Sequence, residues 1–146
     1  MKSEGRIESI NISKDKGQKK TRVEEVFINE NGIEGDGHSG KWHRQISLLS
    51  RESIQQINTK GANAKAGDFA ENLTISGVDL KKIKIGDTIS IGNKEKIELM
   101  VTQIGKECHS PCNIFHQVGY CIMPEEGIFC KVITTGKIKT GDNVYL

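Results

Sequence analysis

The decapeptide KIKIGDTISI at residues 82–91 returns in altered form as KIKTGDNVYL at residues 137–146. Each copy reads as a β-prone run, a Gly-Asp turn and a second β-prone run, the pattern of a hairpin. Two such hairpins predict a closed or nearly closed barrel, because closure removes exposed sheet edges. Just upstream, GDFAENLTISGVDLKKIKIGDTISIG (residues 67–92) places turn dipeptides at Gly67-Asp68, Ser76-Gly77 and Gly86-Asp87, with short strand-like runs between them. Further out, IESINIS (residues 7–13) alternates apolar and polar residues, and Val23 to Ile28 form another run before an Asn31-Gly32 turn. RQISLLS (residues 44–50) reads as a half-buried strand. Ser50 is then placed to cap a short helix through Gln56, with Glu52 in its first turn, Ile54 and Ile57 toward the core, and Gly61 ending it. The fold class expected is mainly β, a barrel with a few short helices.

Composition agrees and narrows the function classes. Sixteen glycines and two prolines accompany many Ile, Val and Thr, which suit pleated strands joined by tight turns. At 146 residues one domain is expected over 1–146, large enough to fold without a disulfide or a metal. Lys and Arg number 21 against 19 Asp and Glu, a net of +2, which lacks the strong excess that sequence-independent nucleic-acid binding usually brings, so no nucleic-acid partner is expected. No apolar run suits a signal peptide or a membrane helix, so the expected compartment is the cytoplasm, where cysteines stay as thiols. The segment KDKGQKKTR (residues 14–22) carries five basic residues in nine. It reads as a solvated loop or as a basic rim steering an anionic small molecule.

Chemistry concentrates in GKECHSPCNIFHQVGYC, residues 105–121, which holds three of four cysteines and two of four histidines. KIELMVTQIG (residues 96–105) reads as the strand that delivers the chain to it, and Pro111 suits the start of a short helix through Val118. Two thiols and two imidazoles can satisfy zinc, although structural zinc sites gather ligand pairs across a longer loop. An iron-sulfur pattern needs a cysteine at position 115, which is Phe, and a thioredoxin-like pair needs two intervening residues. A single reactive or ligating thiolate remains. Cys112, at the first turn of the predicted helix, has the surroundings that favour a thiolate, with His109, His116 and Lys106 near in sequence. Cys130, in GIFCKVI, reads as a small buried hydrophobe in a strand. The Gly35–Gly40 loop, with His38, has backbone able to approach a ligand or cradle an anion.

Taken together, GIEGDGHSGKWHRQISLLS, GDFAENLTISGVDLKKIKIGD, ELMVTQIGKECHSPCNIF and the closing GIFCKVITTGKIKTGD resemble the MOSC domain, the C-terminal domain of molybdenum cofactor sulfurases, in its small stand-alone bacterial form. The resemblance covers residues 5 to 146. It implies a β-barrel that binds the molybdenum cofactor, an anionic pterin dithiolene (molybdopterin), or its precursor. Cys112 is implied as a persulfide (sulfur) carrier or molybdenum ligand. From their places in the same stretch, Cys108 and Cys121 read as supporting thiols, with His109 and His116 tuning them. Gly35, Asp36, His38, Arg44 and Gln45 are implied to shape the cofactor site, while Gly37 stands where many relatives carry a larger residue, often arginine. Alternatives within the resemblance are a sulfurtransferase and a reductase of N-hydroxylated compounds supplied with electrons from elsewhere; the competing reading, from Cys108, Cys112 and the nearby histidines, is a non-catalytic metal or cofactor chaperone. A sulfur donor or a molybdoenzyme is the implied partner. Full sulfurases add a pyridoxal-phosphate desulfurase domain, and no pyridoxal-phosphate site is expected in these residues.

Overall fold

The computed structural model describes residues 4–14, 20–37, 39–92, 96–105 and 127–146. Eleven strands are present among them: β1 Glu4–Ile12, β2 Thr21–Val23, β3 Glu25–Asn29, β4 Gly32–Ile33, β5 Ile46–Ser50, β6 Leu73–Ser76, β7 Thr88–Ile91, β8 Ile97–Ile104, β9 Ile128–Val132, β10 Gly136–Lys139 and β11 Asn143–Tyr145. One α-helix, α1 Arg51–Asn58, and a 3-10 turn at Leu80–Lys82 join them. No helix among the described residues is long and apolar enough to cross a membrane.

Seven strands close into a barrel in the order β1, β11, β7, β8, β9, β5, β6 and back to β1. β1 closes the ring because it is long. Glu4–Arg6 pair with β11, Arg6–Ile10 with β6, and Ile10–Ile12 with β2, which extends the wall. All barrel pairings are antiparallel except β5 with β6, which runs parallel because α1 carries the chain across between them. The interior is filled by Ile, Leu and Val from every barrel strand, including Ile7, Ile10, Ile46, Leu48, Leu73, Ile75, Leu99 and Val144. A second cluster of Leu49, Ile54, Ile57, Ala62, Ala64, Phe69 and Phe129 packs α1 against the outer wall. β5 is therefore buried on both faces along Ile46–Leu49 rather than half-buried.

The repeated Gly-Asp motif makes the same turn twice. Asp87 accepts the Lys84 N–H through Oδ2 at 2.9 Å, and Asp142 accepts the Lys139 N–H in the same way at 2.9 Å. Gly86 and Gly141 sit at φ +97° and +96°, which a glycine adopts without strain. Neither copy is a hairpin, however. Residues 83–85 are not a strand, and β10 pairs with β3 in a separate three-stranded sheet while β11 enters the barrel. Each turn redirects the chain into the barrel, where β7 and β11 become neighbours (Val144 opposite Ile91). The helix begins as expected, with Ser50 Oγ accepting the Ser53 N–H at 3.4 Å, and runs to a Thr59 cap, before Gly61.

Candidate functional site

The glycine-rich loop after β4 is pinned from below. Asp36 is buried and its Oδ1 accepts Lys20 Nζ at 2.7 Å and the Ser13 N–H at 3.1 Å. Burial pushes this carboxyl up, but the Lys20 ammonium and the Ser13 amide more than offset it and hold it below the usual carboxylate range. Gly37 N–H donates to Ser13 O at 2.8 Å, so the loop is fastened to the end of β1 at two adjacent residues. Lys20 also donates to Ser13 Oγ, and its N–H bonds Gly67 O at 2.9 Å. Its side chain is fully buried, so the last lysine of the basic stretch is neither solvated nor part of a basic rim. Residues 15–19 and His38 lie outside the described residues.

A polar layer continues from this clasp behind β6. Asn72 Oδ1 accepts the Ser47 N–H at 2.9 Å, and Asn72 Nδ2 donates to Asn11 O at 3.1 Å. Asn11 Nδ2 donates to Thr74 Oγ1 at 3.2 Å, and the Thr74 hydroxyl donates to Glu71 Oε2 at 2.8 Å. Burial pushes the Glu71 carboxyl up despite the hydrogen bonds it accepts. None of Lys20, Asn11, Glu71 and Asn72 stood out in the sequence. The one signal for the last two was a Glu-Asn pair leading directly into an apolar strand.

The outward side of the loop is different. Gln45 is buried and fully committed: Nε2 donates to Glu30 O at 3.0 Å and Gly40 O at 2.8 Å, and Oε1 accepts the Val132 N–H at 2.8 Å. It fixes where the loop enters β5. Gly32, at φ +126°, leaves only 3.0 Å from an added Cβ to Gln45 O, so the loop and β5 need a bare backbone there. Beside Gln45, the Arg44 guanidinium lies 4.6 Å from the Trp42 ring centroid and 5.8 Å from that of Phe129. Its Nε is buried and, among the described residues, has no hydrogen-bond partner. A buried donor left unpaired costs about 1–3 kcal/mol, which a bound acceptor relieves. His43 contacts Trp42 in a T-shaped arrangement, and its Nε2 lies 2.8 Å from Gln103 Oε1.

The strand expected to deliver the cysteine segment does so. β8 ends at Ile104, and Gly105 N–H bonds Gly127 O at 2.7 Å, a neck from which residues 106–126 leave and to which they return. Gln103 Nε2 donates to Gly105 O at 2.7 Å, so the neck and the His43 side chain share one glutamine. A cavity of about 980 Å³ opens between α1, the Gly77–Ile83 turn, Ile104 and Ile128. Cys108, His109, Cys112, His116 and Cys121 lie outside the described residues. Cys130 is buried in β9 and burial pushes its thiol far up, leaving it the inert hydrophobe its strand pattern suggests.

A closed seven-stranded barrel carrying an aromatic-framed cation on its outer wall, next to the neck of a cysteine-bearing segment, defines the class. The MOSC domain family model matches residues 35–145, and the chain belongs to that family, which is associated with the molybdenum cofactor. The fold is shared with the YuaD protein from Bacillus subtilis, at a TM-score of 0.81 and 21% identity, covering 99% of this chain and 96% of that one. It is also shared with YiiM from Geobacillus stearothermophilus (TM-score 0.69, 21% identity, 97% and 75% covered). YiiM from Escherichia coli is similar at TM-score 0.64 and 20% identity, with 95% and 68% covered. No curated protein matches the sequence. To an anionic cofactor of that kind the described residues offer a fitting group in Arg44, whose buried Nε–H lacks an acceptor.

Proposed function

We propose that this chain binds the molybdenum cofactor or its precursor, with Arg44 meeting an anionic group of the cofactor and Cys112 serving as sulfur carrier or molybdenum ligand. The observation that carries the reading is Arg44 Nε, held between Trp42 and Phe129 and without a hydrogen-bond partner among the described residues. An anion there completes a charge-assisted hydrogen bond that the described residues leave open. Gln45 and the Lys20–Asp36 pair act from behind, holding the loop that presents Arg44. When bound, the cofactor supplies a molybdenum centre able to exchange oxygen or sulfur ligands. A soft thiolate is a suitable ligand for it and a suitable carrier of sulfane sulfur. A sulfur donor or a recipient molybdoenzyme is the partner this role requires.

Protein purified from a host that makes the cofactor should carry molybdenum by elemental analysis and pterin by fluorescence. Arg44→Met should lose both while staying folded. Cys112→Ser should lose persulfide labelling or molybdenum, also without unfolding. Wild-type protein that retains neither metal nor pterin overturns the proposal.

A further inference from the structure

We infer that the cavity of about 980 Å³ at one mouth of the barrel is a binding site for an uncharged, largely apolar organic molecule, held beside the neck of the cysteine-bearing segment.

The walls of the cavity are fixed by the fold. Ser50 at the end of β5, Gly77 after β6, Ile104 at the end of β8 and Ile128 at the start of β9 all line it, so it occupies one end of the barrel. From Ser50 the chain turns into α1, which supplies one wall through Ser53, Gln56 and Ile57. Gly77, at φ +85°, turns the chain out of β6 toward the second wall. An added Cβ there would stand 3.1 Å from Gly5 Cα in a backbone conformation that side chains rarely adopt, so this turn needs a glycine. Asp79 then caps the 3-10 turn, its Oδ1 accepting the Lys81 N–H at 3.0 Å, which holds the second wall in shape.

The lining sets the class of occupant. Ile57, Val78, Leu80, Ile83 and Ile128 are buried and make the apolar part. Ile104, next to the neck, lines the cavity while 41% exposed, so branched apolar surface stays open to water there. Covering that surface favours an apolar occupant. Among the described residues, the charged groups of the lining are Glu52 and Asp79 against Lys60 and Lys81, which balance. An ion entering this space would give up hydration against apolar walls, with no net opposite charge to replace it. An uncharged molecule avoids that cost, and the Ser50 hydroxyl and Gln56 amide offer it neutral hydrogen-bonding groups on the α1 side. The volume lies at the upper end of the roughly 300–1,000 Å³ of small-molecule sites, enough for a body of two or three rings. Ile57 also belongs to the apolar cluster of Phe129, the ring that Arg44 lies against, so one packed cluster borders both this cavity and the Arg44 surface. Arg44 itself does not line the cavity.

Two fluorescent probes that share one body test the site: N-phenylnaphthylamine, which is uncharged, and anilinonaphthalene sulfonate, which adds an anionic group. Titration of the full chain with the uncharged probe should give a saturable rise in emission at a single site. The sulfonated probe should bind about tenfold more weakly, because its charge is desolvated without a net countercharge. Ile104→Asp puts a charge at an exposed lining position and should weaken the uncharged probe about tenfold. Gln56→Trp, also at an exposed position, fills the space and should abolish binding. Ile133→Asp makes the same change at an isoleucine that is 52% exposed and does not line the cavity, and it should bind as the wild type does. Circular dichroism and melting temperature confirm that each variant is folded. Absence of saturable binding, full affinity in Gln56→Trp, or an equal loss in Ile133→Asp and Ile104→Asp overturns the site. A sulfonated probe that binds as tightly as the uncharged one overturns the class of occupant. Metal and pterin content of the purified protein are separate measurements and decide the proposed function on their own.

Discussion

Replacing Lys20 by methionine removes the ammonium from a buried ion pair and leaves its carboxylate behind. Lys20 Nζ and Asp36 Oδ1 are 2.7 Å apart and both side chains are 0% exposed. Removing one partner of such a pair costs about 3–5 kcal/mol, mostly the penalty of an uncompensated buried charge. Against a total stability of roughly 5–15 kcal/mol this is a large fraction. For a chain of this length it corresponds to a fall in melting temperature of about 6–20 °C. The pH dependence supplies a sharper check. In the wild type Asp36 has a lowered folded pKa, so its contribution is present above the ordinary aspartate value of 3.8 and is lost as the pH falls through the lower folded value. In Lys20→Met burial is left dominant and the direction reverses. The deficit is then smallest where Asp36 is protonated and grows as the pH rises toward neutrality. Urea unfolding at pH 4 and pH 7 measures both. The paired variant Lys20→Met with Asp36→Leu should recover much of the loss, because no buried charge remains. A cost below about 1 kcal/mol at pH 7, or an equal cost at both pH values, would refute this account of the clasp.

Three further outcomes follow from other positions. Gly67→Ala should destabilise by more than about 2 kcal/mol in urea unfolding, because its Cβ would stand 2.4 Å from Lys20 O at a φ of +90°; a neutral result means this backbone contact is looser than described. Ala70→Gly should stabilise by about 0.5 kcal/mol, since Ala70 sits at φ +61° and relief of that strain slightly exceeds the added entropy of an unfolded glycine. Glu71→Gln should raise stability at pH 7 more than at pH 4: a carboxyl whose folded pKa is raised above 4.5 favours the fold below that value and loses that contribution as the pH rises through the folded one. Calorimetry at the two pH values that shows the opposite order would be evidence against a buried, raised Glu71.

Features set by near neighbours were legible in the sequence. The Gly-Asp turns at Gly86-Asp87 and Gly141-Asp142, the Ser50 cap with Ile54 and Ile57 facing inward, and the burial of Cys130 all follow from the chemistry of a few adjacent residues. The same local view misread those turns as hairpins, since whether two strands joined by a tight turn pair with each other depends on which other edges compete for them. Arg44 and Gln45 were both named from the sequence. Their different situations, one guanidinium with an open donor and one amide with every hydrogen bond taken, are invisible in the string RQISLLS.

By itself, then, the sequence determined the strand-forming runs, the turns, the helix start and the family, because these reside in residue types and short spacings. Tertiary structure alone decided the closure of the barrel through β1, the burial of a lysine from a charged stretch, and the meeting of Trp42, His43, Arg44, Gln103 and Phe129 on one outer wall. Burial and hydrogen-bond competition are properties of surfaces brought together from distant parts of the chain. A lysine becomes a clasp only when Asp36, sixteen residues away, is enclosed with it.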